Sequence, residues 1–330
     1  MTYDIVTLGE TMLRMTPPGQ RRIEQAASFD LEVGGSESNL SVGLVRLGLR
    51  VAWLSRLPAS PLGRLIANTL RGYGVDTQHV AWSDEDRLGL YFLEEGEAPR
   101  GTSVIYDRRD SAMSRMTPAD LPAPLFAPGQ ADQLHLSGIT LALSDGAAAT
   151  AHAALTRAKD AGWRISFDVN YRAKLWSPQA ARAGCAPFVA AADILLLPRR
   201  DAGLIYDLPA ELPAEDAVRF MRAIAPQADI VMTLGSTGVI GLARGAETPI
   251  FQPALPAAGP GRIGGGDAFA AGFFAGYRED AATRLATGLR WGAAAAAVKF
   301  TIPGDIPVFT RDEVLALVAS DSDLQGGVRR

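Results

Sequence analysis

One stretch in the last third of the chain constrains the fold more than any other, because it joins a glycine turn to an almost wholly apolar helix. Gly264, Gly265 and Gly266 form the turn, Asp267 follows, and residues 268–276 are only alanine, glycine and phenylalanine. Such a helix must be buried, and its unpaired N–H groups and positive dipole end point at whatever lies beyond the turn. Because glycine lets a ligand approach the backbone closely, the stretch predicts an anion site.

Asp267 is unexpected in an anion site, since its carboxylate repels phosphate. A carboxylate beside a bound phosphate can instead accept the proton of a group that attacks the phosphorus. The pattern therefore indicates phosphoryl transfer with Asp267 as the base. The alternative is a glycine-rich loop that Asp267 only caps.

The composition excludes several classes of protein. The chain has 330 residues, 48% hydrophobic and 21% charged, so it can bury a large core. A net charge of −4 without a basic block argues against nucleic acid as a partner. The single cysteine, Cys185, excludes an internal disulfide, and three widely spaced histidines do not suggest a metal site. The lack of a signal peptide and of an apolar run of about 18 residues favours a cytoplasmic protein without a membrane partner.

Short apolar segments alternate with helical patterns along the chain. This alternation predicts one α/β domain over residues 1–330, with a doubly wound, mostly parallel sheet whose ligand site lies beyond the carboxyl ends of the strands. The glycine turns fall at that edge. The predicted strands are residues 3–10, 51–55, 79–82, 132–137, 163–169, 193–197 and 229–234, and the predicted helices include one that opens at Ser36 and residues 61–73, 145–161 and 178–191.

Two segments, residues 12–33 and 88–112, read as hairpins outside the main sheet. The second contains two β-rich runs, residues 88–94 and 102–108, without a helical pattern between them. Together the hairpins predict a small β-sheet lid that excludes water from a transferring phosphoryl group. The exposed sheet could also join two copies of the chain in a homodimer.

The run GGGDAFAAGFFAG resembles the C-terminal signature of the ribokinase-like (PfkB) carbohydrate kinases, and the region of Gly34 and Gly35 resembles their N-terminal signature. The likeness extends from about residue 4 to residue 316. The sequences of residues 89–94 and 106–112 resemble those of the 2-keto-3-deoxygluconate (KDG) kinases more than those of ribokinases or fructokinases. The resemblance implies an ATP-dependent kinase that acts on the primary hydroxyl group of KDG.

The resemblance also implies where the sugar binds, namely against the turn before Asn39 and beside the motif Asp168-Val169-Asn170-Tyr171-Arg172. Tyr106 and Arg108 share one face of a strand, and an arginine fork suits a carboxylate, so Arg108 and Arg172 could clamp the acid group. The alternatives are a solvated hairpin and an ordinary strand exit. The predicted substrate-binding residues are Gly34, Gly35, Asn39, Tyr91, Tyr106, Arg108, Asn170 and Arg172.

The turn from Thr233 to Gly238 resembles the nucleotide-contact turn of the family. Mg-ATP is expected to lie over this turn, with the phosphates at the glycine turn before Asp267. The predicted nucleotide-binding residues are Thr233, Gly235, Gly238, Gly264 and Gly266, and Gly264, Gly265 and Gly266 also serve catalysis as the anion hole.

The chain departs from the family pattern on the nucleotide and cation side. Pro198 stands where the family usually has asparagine, and Arg199 and Arg200 precede Asp201, which is left as a weak magnesium contact through water. Gly261 replaces an aspartate that in many relatives helps to hold a monovalent cation. These departures keep two alternatives open: a kinase for another sugar such as fructose, and a catalytically weakened relative that binds a sugar acid.

Overall fold

The computed structural model describes residues 2–259 and 263–319, so Gly261 lies outside the described residues. The strands are β1 (Ile5–Leu8), β2 (Met12–Thr16), β3 (Asp30–Gly34), β4 (Val51–Leu54), β5 (Arg56–Pro58), β6 (Ala81–Ser83), β7 (Leu90–Glu94), β8 (Ser103–Asp107), β9 (Gln133–Ser137), β10 (Arg164–Asp168), β11 (Ile194–Pro198), β12 (Asp229–Thr233), β13 (Gly238–Leu242) and β14 (Ile250–Pro253). The helices are α1 (Ser36–Arg46), α2 (Pro61–Gly72), α3 (Gly138–Leu141), α4 (Asp145–Asp160), α5 (Pro178–Ala191), α6 (Arg199–Tyr206), α7 (Ala214–Ile224), α8 (Gly265–Glu279), α9 (Arg284–Phe300) and α10 (Arg311–Ala319).

The main sheet has the strand order β14-β13-β12-β11-β10-β9-β1-β4. The strands from β4 to β12 in this order are parallel, whereas β13 and β14 continue the edge in antiparallel fashion. The predicted doubly wound, mostly parallel fold is therefore confirmed. The antiparallel edge was not predicted, and it follows from a tight turn in which Leu234 N donates to Gly238 O over 2.8 Å.

The main sheet is covered on both faces, because alternate side chains of each strand enter different cores. In β1, Ile5 packs with α1, α8 and α9, whereas Val6 and Leu8 pack with the core that contains α4, α5 and α7. Strand β11 accordingly begins with four consecutive apolar residues, all of them buried.

Helix α8 is buried over residues 268–277, as its composition predicted. Small residues let its neighbours approach closely. A Cβ at Gly43 of α1 would lie 2.7 Å from Ala271 Cβ, and a Cβ at Gly272 would lie 2.4 Å from the carbonyl oxygen of Trp291 in α9. No helix among the described residues is both long and apolar enough to cross a membrane.

A second sheet, with the order β3-β2-β7-β8, forms the small lid. Two antiparallel hairpins, β2–β3 and β7–β8, are joined by parallel pairing of β2 with β7. The strand predicted over residues 79–82 is found as β6, but it pairs with β5 in a separate two-stranded sheet and not with the main sheet.

The register between the strands of the lid determines which side chains lie together on each of its two faces. Arg14, Tyr91 and Tyr106 are neighbours across β2, β7 and β8 on one face, and Tyr91 and Arg14 make contacts with the main body. The other face carries an apolar row that is continuous through the same register. Its members are Leu31, Met15, Phe92 and Ile105.

Candidate active site

Helix α1 begins over the carboxyl edge of the main sheet, and a buried acid fixes it there. Glu37, in the first turn of α1, accepts a hydrogen bond from Ser137 Oγ at the end of β9 (2.5 Å). Gly9, just after β1, leaves room for this carboxyl group, since a Cβ there would lie 2.0 Å from Glu37 Oε2. Burial raises the pKa of Glu37 to about 7. The polar residues that follow in α1 are thereby placed at the ends of β1 and β9.

Asp267 lies in the first turn of α8, and α1 holds both of its carboxylate oxygens. Ser36 Oγ donates to Oδ1 and Asn39 Nδ2 donates to Oδ2, each over 2.8 Å. Asn170 Nδ2, beyond the end of β10, donates in turn to Ser36 Oγ (2.9 Å). The structure thus brings together Asn39, Asn170 and Asp267, which lie far apart in the sequence.

The surroundings of Asp267 make its carboxylate more basic than that of an exposed aspartate. Burial raises its pKa to about 6, and the hydrogen bonds from Asn39 and Ser36 and the charge of Arg172 oppose this effect. A carboxylate with such a pKa is mostly ionised at neutral pH and can still accept a proton. This balance is what a general base requires.

Of the three glycines predicted to form the turn before Asp267, only Gly264 lies outside the helix, because α8 already begins at Gly265. Gly264 is the N-cap of α8 with a φ of 76°, in the left-handed region that favours glycine. A Cβ at Gly264 would lie 2.2 Å from the carbonyl oxygen of Asp305, whereas a Cβ at Gly266 would meet no atom of a described residue within 4 Å. The backbone at Gly266, next to Asp267, therefore has room for a ligand to approach, which an anion hole at the start of α8 requires.

Arg172 is the arginine whose charge acts directly on the acids of the site. It is half-buried, donates to the carbonyl oxygen of Tyr171 (3.2 Å), and forms no ion pair within the described part of the chain. Its charge opposes the rise in the pKa of Asp267 and of Asp168. Burial, with the charges of neighbouring acids, still raises the pKa of Asp168 to about 8.

Arg108 has a different environment, because Glu10 already neutralises its guanidinium. Arg108 Nε donates to Glu10 Oε2 over 2.8 Å, and Ser111 donates to the other oxygen of Glu10. The guanidinium also lies over the ring of Tyr106, 5.5 Å from its centroid. Of the two arginines predicted to clamp a carboxylate, Arg108 is engaged in a close ion pair, whereas Arg172 forms none among the described residues.

Tyr91 and Gly34 connect the lid with the main body. The Tyr91 hydroxyl donates to Asp305 Oδ1 (2.9 Å), and Arg14 forms an ion pair with Asp305 Oδ2 (2.8 Å). A Cβ at Gly34 would lie 2.4 Å from the Tyr91 hydroxyl. Gly35 is equally constrained, since a Cβ there would lie 2.2 Å from the carbonyl oxygen of Glu10. Both glycines therefore have a packing reason in addition to their predicted role beside the sugar.

The predicted nucleotide turn lies at the same edge of the sheet. Thr233 ends β12 and is paired in register with Pro198 at the end of β11. Gly235 and Gly238 have φ values of 66° and 136°, which glycine adopts without strain. Their contacts with a nucleotide stay predictions.

Asp201 offers no open oxygen to a hydrated magnesium ion in this structure. It is fully buried, its Oδ2 accepts Tyr171 N (2.9 Å), and its Oδ1 accepts the guanidinium of Arg200 (3.2 Å). Arg199 donates to the carbonyl oxygen of Ala210 (2.8 Å) and so holds a loop. Among residues 2–259 and 263–319, no cluster of three or more His, Cys, Asp or Glu side chains is placed to bind a metal.

Sequence reasoning missed several residues of this site. Ser36 is the link between Asn170 and Asp267, and its position directly after Gly34-Gly35 was the available signal. Glu10 follows the first strand and gave a weaker signal. Asp305 gave none, because its contacts with the lid and the glycine turn depend on the tertiary fold.

The fold and the site define a class of protein: a sugar-kinase-like phosphotransferase with a small β-sheet lid and a buried aspartate of raised pKa in the first turn of an apolar helix. Comparison with known proteins agrees. The model of the pfkB family carbohydrate kinases matches residues 2–310. The 2-dehydro-3-deoxygalactonokinase of Haloferax volcanii is 41% identical over 317 residues, 95% of this chain and 96% of that protein. The 2-dehydro-3-deoxygluconokinase of Thermoproteus tenax is 33% identical over 304 residues, 91% of this chain and 89% of that protein.

Among solved structures, the 2-dehydro-3-deoxygluconokinase of Thermotoga maritima superposes with a TM-score of 0.90 at 30% identity, covering 97% of this chain and 99% of that chain. The chain belongs to the pfkB family of carbohydrate kinases, and it is a sugar kinase.

Proposed function

We propose that this kinase transfers the γ-phosphoryl group of ATP to the primary hydroxyl group of a 2-keto-3-deoxy sugar acid, with KDG as the first candidate. The observation that carries the proposal is the half-buried guanidinium of Arg172, which lies near Asp267 and forms no close ion pair among the described residues. A neutral sugar leaves this guanidinium without a partner, whereas the carboxylate of a sugar acid pairs with it.

The chemistry follows from the geometry around Asp267. The sugar hydroxyl donates its proton to the carboxylate as its oxygen attacks the phosphorus, and the N–H groups of Gly264, Gly265 and Gly266 stabilise the charge on the transferring phosphoryl group. Ser36 and Asn39 hold the carboxylate from the side, so the base does not have to reorganise during the reaction.

Asn39 has a further acceptor for the substrate. Its Oδ1 is buried and has no hydrogen-bond partner among the described residues, while its Nδ2 is engaged by Asp267. Buried acceptors without a partner are rare. A sugar hydroxyl that donates to Oδ1 would satisfy it, which supports the predicted role of Asn39 in substrate binding.

Arg108 also contributes to binding the carboxylate of the substrate, but in a different way from Arg172. Glu10 and the Tyr106 ring fix the direction of its guanidinium, which leaves N–H groups free of Glu10 to donate to a substrate carboxylate. The Arg108–Glu10 pair has no net charge. Arg108 therefore mainly orients the substrate carboxylate, whereas Arg172 supplies most of the positive charge that attracts it.

The names of the two most identical relatives described above differ in the sugar, so the galactonate epimer of KDG is the second candidate.

ATP is expected to lie against the glycines before Asp267 and against the turn at Gly235 and Gly238, where the positive φ of glycine lets the backbone bend close to a ligand. Magnesium is expected to arrive with the ATP phosphates and to keep most of its waters, because Asp201 is engaged by Tyr171 and Arg200. The exposed Arg200 can reach an incoming phosphate by turning away from Asp201.

A second copy of the chain is proposed to cover the outer face of the lid. Leu31 and Ile105 are 54% and 56% exposed, and they end the apolar row that runs through Met15 and Phe92. A self-complementary apolar face of this kind suits a two-fold dimer.

The substrate proposal is tested with a coupled assay for ADP formation on KDG, its galactonate epimer, fructose and ribose. We expect turnover with the sugar acids and little with the neutral sugars. Arg172→Ala should raise the KM for a sugar acid by at least about thirtyfold, because an unpaired buried charge typically costs about 2–5 kcal/mol. Arg182→Ala is the control, since Arg182 forms an exposed ion pair with Asp207. Equal losses on acidic and neutral sugars would reject the clamp, and fructose as the best substrate would favour the fructokinase alternative.

The weakened sugar-binding relative is the other alternative. It predicts sugar-acid binding without ADP formation. The intact contacts of Asp267 with Ser36 and Asn39 favour the active enzyme over this alternative.

A further inference from the structure

Lys299 lies in the last turn of α9 and is one of the largest fully buried side chains of the protein. Lysine is almost never fully buried unless its charge is compensated. Its Nζ donates to the carbonyl oxygens of Ile302 (2.9 Å) and Gly304 (2.8 Å). Two backbone carbonyls thus converge on one ammonium group, in the manner of ligands around a small cation.

The charges around Lys299 favour its ionised form. Burial lowers its pKa, but the acids Asp305, Glu32 and Asp267 oppose this effect, and only Arg14 adds to it. The ammonium also lies near the carboxyl end of α9, where the helix dipole stabilises a positive charge.

The carbonyls belong to residues 300–305, which we call the platform turn because Gly259 and Gly264 both pack against it. A Cβ at Gly259 would lie 2.2 Å from the carbonyl oxygen of Phe300, and a Cβ at Gly264 would lie 2.2 Å from that of Asp305. Gly259 and the N-cap of α8 therefore both depend on the position of the platform turn.

The same turn also holds the lid. Asp305 accepts the Tyr91 hydroxyl of β7 and pairs with Arg14 of β2. A shift of the platform turn would consequently move the anion hole and the lid together. Such a shift is expected if the converging carbonyls lose their cation, because they would then repel each other and remain unsatisfied in a buried place.

We propose that Lys299 is a positioning residue that supplies a built-in monovalent cation: its ammonium holds the platform turn, and through it the glycine turn and the lid, in the catalytic geometry. Lys299 acts through the backbone and does not touch the substrate. The wild-type kinase should therefore need no soluble monovalent cation. Removal of the ammonium should create a need for one, and potassium or ammonium ions suit the place because they resemble a lysine ammonium in size and charge.

The experiment compares the wild type and Lys299→Met in the chlorides of potassium, ammonium, sodium and choline at constant ionic strength, with KDG, ATP and excess magnesium. The wild type should show the same kcat in all four salts. Lys299→Met in choline should lose about tenfold or more of kcat, since small displacements of catalytic groups are costly. Potassium or ammonium should restore several-fold of this loss, whereas sodium should restore little. Lys159→Met, at the exposed end of α4, is the matched control and should behave as the wild type.

A second readout does not depend on the substrate. Potassium or ammonium should raise the melting temperature of Lys299→Met by a few degrees relative to choline, and should leave that of the wild type unchanged, because an ion that binds only the folded protein stabilises it. Lys299→Ala removes the aliphatic chain together with the ammonium group. Propylammonium replaces both parts, so it should stabilise this variant more than potassium does.

Three outcomes would overturn the proposal: several-fold activation of the wild type by potassium, full activity of Lys299→Met in choline, or variants that neither salts nor propylammonium restore. A wild type that phosphorylates no sugar acid would reject the proposed substrate instead, and the melting temperatures would still decide the role of Lys299.

Discussion

At the scale of single residues, the site depends on how neutral groups surround a charged one. Ser36 and Asn39 direct hydrogen-bond donors at Asp267 without bringing a full positive charge to it. A direct ion pair would lower the pKa of the carboxylate and make it a poorer base. Arg172 is close enough to act on this pKa, yet it forms no ion pair with Asp267 in the described structure.

Asp267→Asn tests the base. Asparagine keeps the size of the side chain and its ability to cap a helix, but it cannot accept a proton. We expect kcat to fall by at least about a hundredfold, the usual contribution of a positioned base. Thermal unfolding should change little, and Asp145→Asn at the exposed start of α4 is the control. Near-normal turnover would leave Asp267 with only a structural role, the anchoring of α8 to Ser36 and Asn39 of α1.

The pH dependence of the reaction should report the same group. Since burial raises the pKa of Asp267 to about 6, the protonated form, which cannot act as a base, accumulates below that pH. The value of kcat/KM, which follows the free enzyme, should therefore rise with pH and level off above about 7. An acid limb near the ordinary aspartate pKa, with no loss between pH 7 and 5, would contradict this expectation.

At the scale of elements, two glycines at the start of α8 have different surroundings and therefore different roles. Gly264 has a positive φ and is pressed against Asp305, whereas Gly266 faces open space. The first is required by the fold, and the second is required only if a ligand approaches the backbone there.

Gly264→Ala should lower stability by at least about 1–3 kcal/mol, the usual cost of a non-glycine residue in a strained conformation, and should lower activity as well. Gly266→Ala should fold as the wild type does, because alanine suits a helix. If its N–H group lies at the transferring phosphoryl group, kcat should nevertheless drop. Urea unfolding and kcat for both variants separate these effects. A Gly266→Ala enzyme with normal kcat would exclude close approach of the phosphate at that residue.

At the scale of the whole molecule, the lid connects catalysis with assembly. Its inner face contributes Arg14 and Tyr91 to the contact with Asp305, and its outer face carries the exposed apolar row ending at Leu31 and Ile105. The alternation of a β-strand permits both in the same short strands.

Ile105→Lys should convert the proposed dimer into a monomer, because it places a charge within the apolar contact. Analytical ultracentrifugation over a range of concentrations measures this. Leu204→Lys is the control, since Leu204 is 47% exposed on α6 and distant from the lid in sequence and structure. A wild type that sediments as a monomer at all concentrations, or an unchanged dimer in the variant, would reject the lid interface.

The sequence by itself determined the features that depend on neighbouring residues. Glycines before an apolar helix set the start of α8, alternating apolar segments set the parallel sheet, and residues 12–33 and 88–112 formed the lid because they lack helical periodicity. Local propensity and burial period are sufficient for these features.

The tertiary structure decided which side chains meet. Ser36 and Asp267 are separated by 231 positions, and only the strand order and the packing of α1 on α8 bring them together. The same holds for the ion pair between Arg108 and Glu10, for the burial of Asp201, and for the burial of Lys299 against the carbonyl groups of Ile302 and Gly304. The free energy of a buried charge depends on all its neighbours in space, and no periodicity in the sequence records them.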